Sequence, residues 1–350
     1  MKTQELDLKP LTRAEVIAAI ERKRPPRIPL IMAKWWGEGL GEQYGDLLSQ
    51  FDEIPNDTVM TLISPPMPNP SELSWRPLER NGVVAHDAGG LLPDWKNLDE
   101  YVEKMPTVTQ EVFEAAKNAS ERAKEEDRYF LWGWWSLFFE RPWGLRGMAH
   151  LLMDYFDHPE KIHKLHDCLC NQYERLIDEA CQCMDVHGFW TSDDLGHQTQ
   201  LMMTPTQFRE FLKPYYARIG EKCREYGLHF WLHSCGNNTD VLEDLIEVGV
   251  DVFHPVQKHT MDEKRVAQEY GDRLAFLVGF DVQHILQEGT PDDVRAEVRH
   301  LVDIFDREEG GMCIAAGNGI VAGTPIENIQ AFLSESLLYG RSHRQGFGSP

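Results

Sequence analysis

A histidine and a cysteine stand two residues apart, at His233 and Cys235, just after the short apolar run 229–232. Because successive side chains of an extended chain alternate between two faces, residues two apart can point into one cavity. Imidazole nitrogen and thiolate sulfur are ligands that zinc prefers. The pair therefore predicts two metal ligands. In the alternative, His233 hydrogen-bonds a neighbouring loop and Cys235 is a small buried thiol.

A further histidine, His254, lies in the next apolar run of the chain, 250–256. We predict it as a third zinc ligand. Three protein ligands would leave the fourth position open to a substrate, as catalytic zinc sites do.

Two adjacent carboxylates and a histidine follow the apolar run 188–191, and we predict catalytic roles for all three: Asp193, Asp194 and His197. Since adjacent carboxylates usually point apart, we expect one aspartate to act as a general acid or base and the other to cap a loop or bind an arginine. His197 fits the mouth of the site and the protein surface equally well.

Large rings and polar side chains end the other apolar runs. Indole rings at the mouth of a barrel can hold a flat substrate, although about half of the tryptophans are expected to pack against outer helices instead. We predict substrate-binding roles for five residues: Trp35, Trp36, Trp134, Asp281 and Asn318.

The elements that position these residues are short apolar runs alternating with amphipathic segments, which indicates a parallel sheet flanked by helices. Three helices are expected to open on Thr-Pro pairs, at Thr204, Thr290 and Thr324, where threonine caps the first amides. We predict an α/β fold of the (β/α)8 TIM-barrel type, whose catalytic groups gather at the C-terminal ends of the strands. A doubly wound open sheet is the alternative, disfavoured because no glycine-rich dinucleotide-binding turn follows the first strand. The predicted strands are 28–34, 129–134, 188–191, 229–232, 250–256, 274–280 and 312–316.

The composition narrows the class of protein. The 350 residues carry a formal net charge of −22, which argues against nucleic acid or an anionic membrane as a partner. Seven cysteines and an N-terminus without a secretory-signal pattern lead us to expect reduced thiols in the cytoplasm. We expect a helical extension outside the barrel at 1–27, a catalytic barrel at 28–344 and a flexible tail at 345–350. The chain is also compatible with a homo-oligomer.

Five stretches of the chain resemble motifs of the uroporphyrinogen decarboxylase (URO-D) superfamily, and the similarity extends from about Ile28 to Tyr339. The stretches are DDLG at 193–196, FLKPYY at 211–216, HSCGN at 233–237, GFDVQ at 279–283 and GNGI at 317–320. The resemblance implies a (β/α)8 barrel. It also implies one of two activities, which are decarboxylation of uroporphyrinogen without a cofactor and corrinoid-dependent methyl transfer.

One stretch departs from the decarboxylase pattern. Decarboxylases of this superfamily carry an arginine-rich motif (M-R-Q-A-G-R) whose guanidinium groups hold substrate carboxylates. The matching stretch here, 32–38, reads MAKWWGE and contains no arginine. This difference favours the methyltransferase branch.

The methyltransferase branch has its own zinc motif. Thiol-methylating members hold zinc through H-x-C, matched here by His233 and Cys235, and through a later cysteine in a GCG-like loop. That loop reads GNG at 317–319 in this chain. His254 is therefore our predicted substitute, with Asn318 as the weaker candidate.

We expect a zinc-assisted methyltransferase that works with a corrinoid (cobalamin) carried by a partner protein. It would move a methyl group between the corrinoid cobalt and a small methyl donor or acceptor. The tryptophan-rich entrance resembles members that demethylate methoxylated aromatic compounds, with zinc or a protonated aspartate (Asp193 or Asp194) acting on the ether oxygen. Two alternatives remain. One is a decarboxylase of a porphyrinogen or a smaller carboxylic acid, and the other is a protein that binds a corrinoid or a metal without turnover.

Overall fold

The computed structural model describes residues 9–76 and 90–347, so the first residues of the predicted extension and the last of the predicted tail lie outside the described residues. The chain forms two compact units. The terminal unit comprises Met1–Val59, Arg122–Phe130 and Asp251–Pro350, and the central unit comprises Met60–Glu121 and Leu131–Val250.

Seven strands are formed by the described residues. They are β1 (Thr58–Leu62), β2 (Tyr129–Trp134), β3 (Gly188–Ser192), β4 (His229–His233), β5 (Val252–His254), β6 (Ala275–Phe280) and β7 (Met312–Ala316). In the central unit β2, β3 and β4 are parallel neighbours. In the terminal unit β5, β6 and β7 are parallel neighbours. Parallel strands joined by helices confirm the α/β class, while the closed eight-stranded barrel and its limits at 28 and 344 stay predictions.

The predicted strand 28–34 is wrong as a regular strand. Only its middle lies parallel to β7, where the amide of Ile31 donates to the Ile314 carbonyl (3.0 Å) and the amide of Ile314 to the Pro29 carbonyl (2.9 Å). Met32 then adopts a left-handed φ of 55°, which turns the chain away from extended geometry. The sequence analysis also missed β1, whose short run has only its first residue buried.

Fourteen α-helices are formed by the described residues. They are α1 (Arg13–Ile20), α2 (Leu40–Tyr44), α3 (Leu98–Glu103), α4 (Glu114–Glu125), α5 (Glu140–Arg146), α6 (Met148–Asp157), α7 (Pro159–Cys183), α8 (Pro205–Gln207), α9 (Lys213–Glu225), α10 (Leu242–Glu247), α11 (Glu263–Tyr270), α12 (Ile285–Glu288), α13 (Pro291–Phe305) and α14 (Ile326–Gly346). Within the described residues, no helix combines the length and the apolar character needed to cross a membrane.

Two of the three Thr-Pro starts behave as predicted. Thr204 and Thr290 each accept a hydrogen bond from a first-turn amide and complete a capping box, as threonine at this position favours. The third is wrong, because Pro325 itself is the N-cap of α14 and makes no side-chain cap.

A buried ion pair holds the start of the terminal unit. Arg27 donates to both oxygens of Asp57 at 2.7 Å, and Asp57 also accepts the amides of Leu11 (2.8 Å) and Leu30 (2.6 Å). These bonds satisfy both carboxylate oxygens, which burial of a charge requires. Arg27 therefore has a structural role beside the segment where the decarboxylase arginines would stand.

Candidate active site

In the central unit β3 and β4 end side by side, and their pairing continues into the loops that follow. Ser192 lies beside His233 in the register. The amide of Asp193 donates to the His233 carbonyl (2.9 Å), and the amide of Gly196 donates to the Cys235 carbonyl (3.2 Å). Because the strands are parallel, their two C-terminal loops meet at one edge of the sheet.

Two glycines allow these loops to touch backbone to backbone. A Cβ on Gly236, which has a φ of 82°, would lie 2.3 Å from the carbonyl carbon of Gly196. A Cβ on Gly196 would lie 2.5 Å from the amide nitrogen of Asn237. Only glycine fits such contacts without moving the backbone. The glycines of the DDLG and HSCG stretches therefore bring the side chains before them together.

Asp194, His233 and Cys235 form a group of ligand atoms that all lie within 4.8 Å of one another. His233 Nε2 is 3.4 Å from Cys235 Sγ and 3.6 Å from Asp194 Oδ1. Ligands held by zinc at about 2.0–2.3 Å in a tetrahedral shell are about 3.3–3.6 Å apart. The amide of Cys235 donates to Asp194 Oδ1 (2.8 Å), which fixes the carboxylate. Both the spacing and the nitrogen, sulfur and oxygen donor set fit zinc.

The protonation state of His233 suits a divalent cation, whereas that of Cys235 would have to change on binding. Burial lowers the pKa of His233 to about 4, so the imidazole is neutral near pH 7 and keeps a lone pair. Burial, followed by the charges of Asp194 and Glu140, raises the pKa of the Cys235 thiol. A bound cation would offset this effect, because metal binding displaces the thiol proton.

Asp193, predicted as a catalytic acid or base, holds the backbone in place instead. Its fully buried carboxylate accepts the amides of Phe138 (2.9 Å), Phe139 (2.9 Å) and Glu140 (2.7 Å), and the hydroxyl of Tyr216 (2.8 Å). Burial raises the pKa of Asp193 to about 6, while these hydrogen bonds act to lower it. Because four donors occupy its lone pairs, its observed contacts position the start of α5, and its catalytic role stays a prediction.

Glu140 is a carboxyl group of this site that the sequence analysis missed. The Ser192 hydroxyl donates to Glu140 Oε2 (2.5 Å) and accepts the amide of Ser136 (3.0 Å). Burial, followed by the charges of Asp194 and Asp193, raises the pKa of Glu140 to about 8. Glu140 is therefore protonated near pH 7. An acid in the first turn of a helix usually complements the helix dipole, so only its place just after β2 could have indicated a role in the site.

The tryptophan ring that contacts the ligand group is that of Trp135, whereas the ring of Trp134 is buried elsewhere in the central unit. The Trp134 ring is fully buried against Phe189 (4.6 Å between centroids) and Tyr173 (5.0 Å). The Trp135 ring meets the His233 imidazole edge to face, with centroids 5.5 Å apart. Adjacent residues at a strand end point to opposite faces, so the two rings differ in their surroundings, and a substrate-binding role for Trp134 stays a prediction.

His197 contributes its backbone to the loop contact. Its amide donates to the Gln200 carbonyl (2.6 Å) and its carbonyl accepts the amide of Asn237 (2.8 Å). The residue itself is exposed and lies outside the group of ligand atoms. These observations favour the surface alternative over a catalytic role.

The predicted ligand His254 belongs to the terminal unit. It is fully buried, its Nε2 lies 3.2 Å from the Ala316 carbonyl oxygen, and its ring is 6.5 Å from that of Trp35. Within the central unit Asp194 is the third ligand-type residue beside His233 and Cys235, and the ligand role of His254 stays a prediction. The sequence did not indicate that Asp194 would fold back onto the His-x-Cys pair.

The remaining predicted contacts also lie in the terminal unit. Trp36 packs against Phe51, with centroids 6.0 Å apart, and Asn318 Oδ1 accepts the amide of Gly319 (2.7 Å) at an exposed position. Asp281 lies with two histidines, in a cluster described below. The substrate-binding roles of Trp35, Trp36, Asp281 and Asn318 stay predictions.

A comparison with known families finds a match over residues 102–336 of this chain. The matching family model is described as uroporphyrinogen decarboxylase (URO-D). The matched range includes β2 to β7 and both loops of the candidate site.

Curated relatives fall into two activity classes. A methylated-thiol–coenzyme M methyltransferase of Methanosarcina mazei is 25% identical over 175 residues, 50% of this chain and 44% of the relative. A methylcobamide:CoM methyltransferase of the same organism is 30% identical over 124 residues, 35% of this chain and 34% of the relative. A uroporphyrinogen decarboxylase of Prochlorococcus marinus is 26% identical over 186 residues, 51% of this chain and 47% of the relative. The chain thus spans less than half the length of each of these three relatives.

Proposed function

Because the chain belongs to the uroporphyrinogen decarboxylase (URO-D) family, we propose that it is the kind of member that transfers methyl groups to or from a corrinoid. Its relatives include methylcobamide:CoM methyltransferases. The observation that carries the proposal is the spacing of Asp194, His233 and Cys235. A thiol and an imidazole at zinc-ligand distance serve methyl transfer to or from oxygen or sulfur, whereas cofactor-free decarboxylation does not need them.

Asp194, His233 and Cys235 are the residues that would hold the zinc. When bound there, zinc would supply a Lewis acid for the oxygen or sulfur that carries the methyl group. Beside the group lies Trp135, whose half-buried ring contacts the His233 imidazole. An indole ring at this place would hold a flat, methoxylated aromatic substrate over the ligands.

Glu140 would be the proton donor of the reaction. In the demethylating direction the bond between the methyl carbon and the ether oxygen breaks, and its electron pair stays on oxygen. The methyl carbon passes to the reduced corrinoid of the partner protein, which supplies the nucleophile. Glu140, protonated near pH 7 because its pKa is about 8, gives its proton to the leaving oxygen and regains one from water.

The charge of the site supports a neutral substrate. Three carboxyl groups, those of Glu140, Asp193 and Asp194, lie close enough together that the two aspartates raise the pKa of Glu140. Without a bound metal ion, the charges of Asp193 and Asp194 would repel a tetrapyrrole with many carboxylates. The stretch 32–38 carries no arginine to offset that repulsion, and the side chain of Arg27 is held by Asp57. These points weigh against the decarboxylase alternative, although decarboxylases are among the relatives.

The test is a methyl-transfer assay with a reduced corrinoid protein and separate panels of methoxylated phenols and methylated thiols. We expect the cobalt absorption to change to that of the methylated state and the free phenol to appear. Substitution Cys235→Ser should slow this reaction about 100-fold or more, because several kcal/mol of charge stabilisation are lost. Its matched control is Cys183→Ser at the end of α7, outside the ligand group, which should leave the rate within about twofold.

Two results would contradict the proposal. The first is an unchanged rate in Cys235→Ser protein, and the second is no methyl transfer across both panels by zinc-loaded protein. Release of carbon dioxide from a porphyrinogen or a smaller carboxylic acid, measured in the same preparation, would favour the decarboxylase alternative.

A further inference from the structure

The terminal unit contains a second cluster of ligand-type side chains, formed by His259, Asp281 and His284. Their ligand atoms all lie within 4.8 Å of one another. His259 and His284 are exposed, whereas the side chain of Asp281, just after β6, is only 6% exposed. The cluster plays no part in the methyl-transfer proposal.

One oxygen of Asp281 is buried without a hydrogen-bond partner. Its Oδ1 accepts the amides of Gln283 (3.0 Å) and His284 (3.2 Å), which fixes the carboxylate. Its Oδ2 is buried and accepts no hydrogen bond from the described residues. Leaving a buried carboxylate oxygen unsatisfied is costly. The oxygen therefore points to a ligand that would supply positive charge at this place.

The two imidazoles lie close enough to Asp281 to bind the same metal ion. His284 Nδ1 lies 3.4 Å from Asp281 Oδ2, close to the separation of about 3.3 Å between two ligands of one tetrahedral zinc. The rings of His259 and His284 have centroids 5.7 Å apart and are nearly perpendicular. Two imidazoles and one carboxylate are a donor set for divalent transition metals such as zinc, cobalt or nickel.

The cluster is open to solvent on the side of His284. That residue lines a cavity of about 620 Å³, together with Lys258, Glu297 and His300 among others. Lys258 pairs with Glu297 (2.6 Å) and His300 pairs with Glu263 (2.9 Å). Because the Lys258 cation is already paired with an acid, it leaves the local charge favourable to a metal ion at the cluster.

We propose that His259, Asp281 and His284 form a second, solvent-accessible binding site for a divalent transition metal, independent of the candidate active site. The site has three protein ligands and room for water or another small ligand at the remaining positions. It contains no thiol, which separates it chemically from the group that includes Cys235.

Cobalt(II) titration of the metal-free protein tests the proposal, with stoichiometry from calorimetry and ligand type from the absorption spectrum. We expect two cobalt ions per chain, of which only one gives the thiolate-to-cobalt charge-transfer band. His259→Ala and His284→Ala are both at exposed positions. Each should weaken the binding of the cobalt ion that does not give that band. The loss should exceed the roughly 10–100-fold that removal of a mere supporting partner costs.

The matched control is His300→Ala, which lines the same cavity but pairs with Glu263; it should leave both ions bound. Unchanged affinity in the double variant His259→Ala/His284→Ala would overturn the proposal. Loss of only the charge-transfer ion in that double variant would overturn it as well. Absence of the charge-transfer ion from the wild type would instead count against the proposed function. The two proposals therefore fail separately.

Discussion

The two ligand clusters of this protein contrast in how they are built. Asp194, His233 and Cys235 sit on two loops that are locked together by backbone hydrogen bonds and close glycine contacts. In the other cluster, two exposed histidines flank one buried carboxylate. The first cluster is part of the folded core of its unit, so changes around it should affect stability as well as chemistry. Substitutions in the second cluster should change metal affinity but not the stability of the metal-free protein.

The largest expected effect is a loss of protein stability when Asp193, the residue before the first cluster's aspartate, is replaced. Asp193→Ala leaves three backbone amides and the Tyr216 hydroxyl without their acceptor. We expect a loss of about 3 kcal/mol or more in the free energy of unfolding, measured by urea denaturation. Tyr216→Phe, which removes one of the four donors, should cost about 1 kcal/mol. Equal losses in the two variants would contradict the role assigned to Asp193.

The glycine contact gives the next largest effect. Gly236→Ala would place a Cβ 2.3 Å from the Gly196 backbone at a φ of 82°, and we expect a cost of about 2–4 kcal/mol together with weaker metal binding. Gly227→Ala is the matched control, since Gly227 has a φ of 66° but open space around its Cβ position. It should cost only about 1 kcal/mol. Similar losses of stability in the two variants would mean that the left-handed backbone at Gly236, and not its close contact with Gly196, explains the cost.

A pH effect follows from Glu140. Its pKa is raised from 4.5 to about 8 in the folded protein, so between these values the folded state holds a proton that the unfolded state has lost. Stability from this group is therefore fully present at low pH and falls as pH rises towards 8. The free energy of unfolding of the metal-free protein should therefore decline between pH 5 and pH 8. Glu140→Gln should make this decline smaller by about 1–4 kcal/mol. An identical decline in both proteins would show that Glu140 does not titrate in this range.

The smallest effect is expected at the exposed cluster. His284→Ala removes an exposed imidazole and should change the free energy of unfolding of the metal-free protein by no more than about 0.5 kcal/mol. With cobalt present, the wild type should gain stability that this variant lacks, since a ligand that binds only the folded state stabilises it. A large loss of stability in the metal-free His284→Ala variant would show that the second cluster also supports the fold, which would contradict the difference between the two clusters.

The sequence allowed much of the framework to be predicted, and the reason is visible in the strands. β3, β4 and β7 are continuous apolar runs with clear ends, and parallel strands bring their C-terminal loops to one edge. That rule was enough to predict that the loops after β3 and β4 lie side by side, but not which of their side chains meet. β1 escaped prediction because its short run is mostly half-buried.

The details of the site depended on contacts that spacing does not encode. Trp134 and Trp135 are adjacent, and only packing decides which ring is buried. Asp194 became the third ligand candidate because the Cys235 amide holds it, a contact between loops 41 residues apart in the chain. Glu140 gained its raised pKa from burial and from neighbours on another strand end. None of these features follows from residue type and order alone.

The most direct test of the central claim is zinc-edge X-ray absorption of the His259→Ala/His284→Ala variant loaded with one zinc ion. These two changes leave Asp194, His233 and Cys235 intact, so the spectrum reports on that group alone. We predict one sulfur neighbour at about 2.3 Å and nitrogen or oxygen neighbours at about 2.0–2.2 Å, with the sulfur lost in Cys235→Ser protein and kept in Cys183→Ser protein. A shell of nitrogen and oxygen only, or a sulfur signal that survives Cys235→Ser, would contradict the account.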